Sequence, residues 1–197
     1  MEIGWKYRPL GPVALNAAVF AMKKRDVILR EANGFNVGNG ATRHRGFEYE
    51  VRSVEGHWPV QFRAAGTIAR HEYAFTRAIE GGESITAGNE ADTAPRHVHS
   101  LELGVPFGDD DAWMASLDLN YVGSYYLDAA NTARYPGHRV ANLRFSWTTP
   151  SLLHLTLRVD NLFDTDYADR ADFAFGDYRY FPARGRAAFL SVDYSSN

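Results

Sequence analysis

From Leu153 the chain alternates with a period of two. Leu153, Leu155, Leu157 and Val159 fall on one parity, His154, Thr156, Arg158 and Asp160 on the other. That pattern makes a β-strand with one apolar and one polar face, which must sit between oil and water. It recurs along the chain between turn signals. Ile3, Trp5 and Tyr7 oppose Glu2, Gly4, Lys6 and Arg8, and this run ends at Pro9-Leu10-Gly11-Pro12. Val13 to about Leu29 alternates less cleanly, and the Gly- and Asn-rich stretch from Asn33 to Gly40 reads as a loop. Further strands are predicted around Phe47–Val51, Val60–Ile68, Leu101–Val105, Ala115–Tyr121 and Ala141–Trp147, then at the Leu153 run and at Arg186–Tyr194. About nine strands and no amphipathic helix make the fold class all-β.

The connections carry a second pattern. Those after the first, third, fifth and seventh strands are short, whereas long polar ones are expected near 31 to 45, 79 to 95, 127 to 138 and 168 to 183. Sorted loops of this kind belong to an antiparallel up-and-down transmembrane β-barrel, with short turns on one side of the membrane and long loops on the other. A Greek-key sandwich has no reason to sort them. Face parity alone also fits a soluble lipocalin-like barrel with its apolar side inside, and a small self-contained β-barrel with a binding or structural role is the alternative. Several strands that continue for well over the ~9 to 11 residues that span a bilayer favour lipid, as do Trp113, Tyr121, Tyr125, Tyr126 and Trp147 near strand ends.

Composition narrows this picture. The 197 residues carry 21 basic and 24 acidic side chains, net charge -3, so no global field favours nucleic acid. With no cysteine, disulfides and thiolate metal sites are excluded. No window has the ~18 to 20 consecutive apolar residues of a membrane-spanning helix, so any crossing is by strands. Val13 to Met22 resembles a signal-peptide centre but is broken by Asn16 and followed by Lys23-Lys24-Arg25, so no signal peptide is expected. Among the 11 Tyr, 12 Phe and 4 Trp, the Tyr and Trp suit a membrane–water interface, and they suit a β-sandwich core too.

Several segments taken in order carry a family resemblance: Thr42-Arg43-His44-Arg45-Gly46-Phe47-Glu48, Pro95-Arg96-His97 and Tyr121-Val122-Gly123-Ser124-Tyr125-Tyr126. They are followed by Arg158-Val159-Asp160-Asn161-Leu162-Phe163-Asp164 with Tyr167, and by Tyr180-Phe181-Pro182-Ala183-Arg184-Gly185-Arg186. Together these residues resemble the C-terminal part of the β-barrel of TonB-dependent outer-membrane receptors of the siderophore or iron-complex type. The resemblance implies that residues 1–197 are a partial barrel domain, about nine strands of 22, without a plug domain. It implies a Gram-negative outer membrane as location and a share in the uptake of iron-siderophore or similar nutrient complexes. Implied partners are outer-membrane lipid, the remaining barrel strands and plug, an iron chelate, and TonB through an N-terminal part outside this chain. The chain alone is then expected not to transport.

Individual side chains add little chemistry. Arg43, His44 and Arg45 are basic enough to meet an anionic ligand and are the ligand-binding candidates, placed in a loop. His97 and His99 share a parity and could share a metal, but their position suits an interface better. Asp109-Asp110-Asp111 lacks EF-hand spacing and reads as a solvated turn. No Gly-x-Ser-x-Gly, zincin or phosphate-loop pattern exists, so neither an enzyme nor a metal or cofactor is expected. Asp160, Asn161, Leu162, Phe163, Asp164, Tyr167, Tyr180, Phe181, Pro182, Arg184 and Arg186 are read as architecture. Asn161 would act as a bulge or register pin through backbone hydrogen bonds, and Pro182 with Gly185 would start the last strand.

Overall fold

The computed structural model describes residues 1–7, 11–30, 36–54, 56, 58–78, 84–109, 112–149 and 153–194. Its strands are β1 (Glu2–Tyr7), β2 (Val13–Arg30), β3 (Asn36–Ser53), β4 (Gln61–Tyr73), β5 (Arg77–Ala78), β6 (Ser84–Ile85), β7 (His97–Phe107) and β8 (Trp113–Val122). They continue as β9 (Tyr125–Tyr126), β10 (Arg134–Tyr135), β11 (His138–Thr148), β12 (Leu153–Asp160), β13 (Ala168–Ala174), β14 (Asp177–Pro182) and β15 (Ala187–Tyr194). Nine long strands pair antiparallel in the order β1-β2-β3-β4-β7-β8-β11-β12-β15, an up-and-down meander. The fold is all-β, as the period-two pattern predicts.

Register turns each strand's alternation into two surfaces. Leu15, Val51, Ala64, Leu101, Leu119 and Ala141 are partners in one row across six strands. The next row toward the short turns, on the opposite face, is Ala14, Arg52, Arg63, Glu102, Asp118 and Asn142. A one-residue slip would exchange these surfaces, so the pattern fixes the pairing.

The apolar surface is left uncovered. Phe145 and Leu157, in the interior of the sheet, are 39% and 43% exposed. In a soluble barrel the apolar face would line the interior, whereas here the cavities lie against the polar one, with Arg63, Glu102, Asp118 and Arg144, which disfavours the lipocalin-like alternative. The buried apolar residues lie mostly at the long-loop end, with Tyr73, Ile85, Tyr125, Leu127, Tyr135 and Ala171 among them. At the short-turn end Trp113 and Trp147 stack at 4.8 Å and Phe107 lies 6.1 Å from Trp113. Toward the loop end the Tyr121 ring stacks on His99 at 5.9 Å, and His99 Nδ1 is 3.1 Å from the Tyr49 hydroxyl. Trp113 and Tyr121 lie roughly eight residues apart, about 20 Å of height at ~3.4 Å per residue and a tilt near 40°. With the reach of the rings this matches the ~25 Å apolar band of a barrel flanked by two aromatic girdles.

Three expectations need correction. The connection read as a loop near 31 to 45 is largely strand: β2 and β3 pair out to Arg30 and Asn36, and register shifts near Val27, beside Asp26 at φ 54°, absorb the irregular alternation. Arg43, His44 and Arg45 therefore lie within β3, not in a loop. Pro182 closes β14, and Ala183 to Arg186 separate it from β15. The other long connections carry the hairpins β5–β6, β9–β10 and β13–β14. Readings that fall on Arg8 to Leu10, residues 31–35, Glu55, His57, residues 79–83, Asp110, Asp111, Leu152 and residues 195–197 lie outside the described residues.

Among the described residues β1 pairs only with β2 and β15 only with β12, so the sheet is not closed. The two-faced reading makes a direct test on adjacent positions of β8. Leu119→Arg, on the apolar face, should lower unfolding stability in lipid vesicles by about 2–4 kcal/mol, whereas Asn120→Arg should change it little.

Candidate functional site

The polar face is concave. Arg63 Nε donates to Glu50 Oε1 at 3.1 Å and Arg63 Nη1 lies 3.9 Å from Glu102 Oε1, while Arg158 Nε is 3.1 Å from Asp160 Oδ1. These pairs are half-exposed, so each stabilises by no more than about 1 kcal/mol. Their consequence is a wet wall bearing both signs of charge. It lines an open cavity of about 440 Å³ bordered by Arg52, Arg63, Glu102, Asp118 and Arg144. A second, of about 490 Å³, shares Asp118 and Arg144 and reaches Arg158, His138, Tyr167 and Asp169 under the loops.

The loops above interlock. Tyr125, Leu127, Tyr135, Ala168 and Ala171 form one apolar cluster, and Tyr73, Ile85 and Ala129 form another. The Tyr135 hydroxyl accepts from Ala168 N at 3.0 Å, and the Tyr125 hydroxyl from Ala171 N at 3.2 Å, so both rings hold β13. Asn131, at φ 62°, bonds Glu90 twice: Glu90 N donates to its Oδ1 at 2.8 Å and its Nδ2 donates to the Glu90 carbonyl at 2.9 Å. Asp128 accepts from Thr132 N at 2.7 Å and from the Tyr178 hydroxyl at 3.1 Å. The hydrogen bond from Arg96 holds the Glu90 carboxyl below its ordinary range. Burial pushes the Asp92 carboxyl up despite its bond from the Tyr73 hydroxyl. No sequence pattern marks Asp128, Asn131 and Tyr135, because their partners lie some 30 to 50 residues away or in the same irregular loop.

The basic triplet does not act as one patch. His44 faces the inner surface, where its Nδ1 lies 2.8 Å from His71 Nδ1 and its Nε2 2.8 Å from Thr42 Oγ1. Arg43 and Arg45 share the outward parity of Phe47, and Arg45 lies 3.8 Å from Glu72. Burial first, then the charges of His71 and Lys24, lowers the pKa of His44 below its ordinary 6.5. His71 is lowered by burial and by Lys24. Both rings lie beyond the apolar band on the loop side. His97 and His99 contact each other at 6.0 Å, within the aromatic row at the band's edge.

The Asp160–Asp164 motif ends a strand. Asp160 is the last residue of β12, and Asn161 is 3% exposed at φ 49°. Its backbone N donates to Asn142 Oδ1 at 2.9 Å, its Oδ1 accepts from Thr165 N at 2.9 Å, and its Nδ2 donates to the Thr165 carbonyl at 2.9 Å and the Arg184 carbonyl at 3.4 Å. Leu162 N donates to the Ala141 carbonyl at 2.7 Å, and Phe163 is exposed. Asp164 Oδ1 accepts from Arg186 N at 2.7 Å, linking the exit of β12 to the start of β15. Tyr167 packs on His138 at 4.5 Å, and Arg184 lies over the Phe189 ring at 5.8 Å. Tyr180 and Phe181 are exposed on β14.

Residues 1–162 match the family model described as TonB dependent receptor-like, beta-barrel. The chain is 26% identical over 168 residues to the metal-pseudopaline receptor of Pseudomonas aeruginosa, covering 82% of this chain and 22% of that protein. It is 24% identical over 197 residues to the catecholate siderophore receptor of Escherichia coli K12, covering 98% and 25%. Among solved structures, the ferric yersiniabactin uptake receptor from Yersinia pestis superposes with a TM-score of 0.79 at 21% identity, over 97% of this chain and 28% of that one. The chain thus spans about a quarter of the length of these relatives.

Asn161→Ala should cost on the order of 2–3 kcal/mol in chemical unfolding, because it removes several buried hydrogen bonds and leaves a positive φ on a residue with a Cβ. Asn161→Gly removes the strain but not the lost bonds and should recover only part of that loss. For the histidine pair, a folded pKa below the unfolded value means that stability is full above about pH 6.5 and declines as the pH falls through it. Hydrogen-exchange protection of amides 42–46 and 69–73 should therefore drop between pH 7.5 and 5.5, after correction for intrinsic rates. The His44→Asn/His71→Asn variant should flatten that dependence.

Proposed function

The chain belongs to the TonB-dependent receptor β-barrel family, and from that premise we propose that it forms part of the wall and outer vestibule of a receptor for iron-siderophore or similar metal-chelate complexes. The observation that carries this reading is the two-sided wall itself, with apolar residues outward, mixed charges inward, and interlocked hairpins capping one end only. An up-and-down sheet of this kind encloses a polar passage and presents its long loops to the medium. The relatives whose names speak of a catecholate siderophore and of metal-pseudopaline support the ligand class.

On this reading residues 1–197 are a partial barrel domain, and β1 and β15 are completed by further strands of the receptor. A plug would occupy the passage, and TonB would act through a part of the receptor outside these residues. The charged wall from Arg52 to Arg158 would meet plug and ligand through polar contacts. The Asn161 clamp would serve architecture, setting where the connection leaves β12. The family's members are transport receptors and not enzymes.

The test is uptake of radiolabelled ferric chelates by cells deprived of their own receptors and given the receptor that carries these residues. Uptake of one chelate that requires TonB is the expected result. Arg144→Ala/Arg158→Ala should weaken binding of that chelate without removing the barrel from the membrane. TonB-independent uptake, or energised uptake by the 197-residue chain alone, would contradict the proposal.

A further inference from the structure

Across the inner face of β2, β3 and β4, Met22 pairs with His44 and His44 with His71, so a thioether and two imidazoles stand in one row. The period of two turns all three the same way. His44 Nδ1 lies 2.8 Å from His71 Nδ1, and the two half-buried rings stand with their centroids 5.0 Å apart. Met22 is 43% exposed. No spacing in the sequence announces this set, because its imidazoles lie 27 residues apart and meet only through the register of β3 and β4.

The surroundings hold the rings in place and neutral. Thr42 Oγ1 lies 2.8 Å from His44 Nε2, so the hydroxyl occupies that nitrogen and leaves Nδ1 to face His71. His71 is anchored through its backbone, whose carbonyl accepts from Ala91 N at 2.8 Å. One step toward the apolar band the Phe20 ring covers Gly46, where an added Cβ would meet Phe20 Cζ at 2.8 Å, and Ala69 is the next residue of that row. Burial over this apolar floor, more than the charge of Lys24, keeps both imidazoles uncharged near pH 7.

Two nitrogens 2.8 Å apart, each at the ~2.0 Å of an imidazole–metal bond, subtend about 90° at a shared ion. A tetrahedral ion would need them roughly 3.3 Å apart. The separation therefore suits the cis positions of a tetragonal ion, the geometry of Cu2+ or Ni2+, and not the tetrahedron of Zn2+. The affinity order of the divalent metals and the thioether in the same row both favour copper. Among the described residues no third imidazole or carboxylate joins the pair. On binding, the proton between the two Nδ1 atoms moves to His71 Nε2, so two neutral imidazoles ligate with no net proton loss.

We propose that His44 and His71, with Met22 as a weaker third donor, bind an unchelated Cu2+ ion on the inner wall at the loop end. The proposal is independent of which chelate the passage accepts and of TonB. Lys24, register partner of Thr42 on the same face, opposes a bare cation and would favour an anionic chelate, so its removal tells the two apart.

The experiment takes the purified receptor that carries these residues, strips it with a chelator, and titrates it with Cu2+, Zn2+ and Ni2+ against a chromophoric competitor. Electron paramagnetic resonance then reads the ligands of the bound copper. One equivalent of Cu2+ held by two ring nitrogens is expected, and His44→Asn/His71→Asn should lose it. Thr42→Val should weaken it by ~10-fold, the cost of removing a supporting partner. Met22→Leu should weaken it by a smaller factor and keep both nitrogens. Lys24→Gln should tighten Cu2+ several-fold with both histidines in place, and the outward control His97→Gln/His99→Gln should leave it unchanged. Zn2+ or Ni2+ bound as tightly as Cu2+, an equivalent that survives in the double histidine variant, or weaker Cu2+ binding in Lys24→Gln would each overturn the proposal.

Discussion

In hydrocarbon no water is present to satisfy a backbone amide or carbonyl, and each one left unpaired costs several kcal/mol. That cost governs the whole sheet. It is met by ladders that run unbroken from Glu2–Phe20 on β1–β2 to Leu153–Tyr194 on β12–β15. Once the ladder and its register are set, the period of two leaves no further freedom. Leu117 and Leu119 must face one way and Asp118 the other. The same constraint makes β1 and β15 significant, since an edge with unpaired donors is tolerated in lipid only when another strand covers it.

Beyond the band water satisfies the backbone and a different economy of contacts holds. There the chain builds what the sheet lacks, a packed interior: Tyr125 and Tyr135 lie over β13, Leu127 is almost fully buried, and Asn131 and Asp128 close their own loop while reaching Glu90 and Tyr178. Mutually bonded loops thus lie above a charged concave wall. Strand wall and loop cap meet at His138, which packs on Tyr167 and lies 3.0 Å from the Tyr135 hydroxyl. The outward and inner surfaces are therefore set by separate residues of the same strands, and neighbours such as His44 and Arg45 belong to different ones.

The nine long strands were legible because the alternation that identifies each of them is also what the environment selects. The sorting of loops to one end was legible for the same reason, with one exception. β2 and β3 keep pairing well past the bilayer through Lys23, Lys24, Arg43 and His44, where polar residues on both faces erase the alternation. That erasure hid the strand and left Arg43 to Arg45 looking like a loop patch; parity, applied to an extended β3, would have separated His44 from its neighbours. The Asn161 motif was legible as a backbone-bonding side chain, but not its reach to Arg184 and Asn142. The loop hairpins were illegible because two-residue strands such as Tyr125–Tyr126 have no periodicity, and their positions come from tertiary contacts.

Alternate residues of each long strand face lipid and an aqueous passage. The chain has no native cysteine, so single cysteines can be placed one at a time along β8 from Trp113 to Val122 and spin-labelled in bilayers without background. Collision with oxygen, which partitions into lipid, should peak at Ala115, Leu117, Leu119 and Tyr121. Collision with a water-soluble nickel chelate should peak at Ser116, Asp118 and Asn120. A period of two with the phases opposed is expected. Equal access to both relaxants along the strand, or the reverse phase, would contradict it.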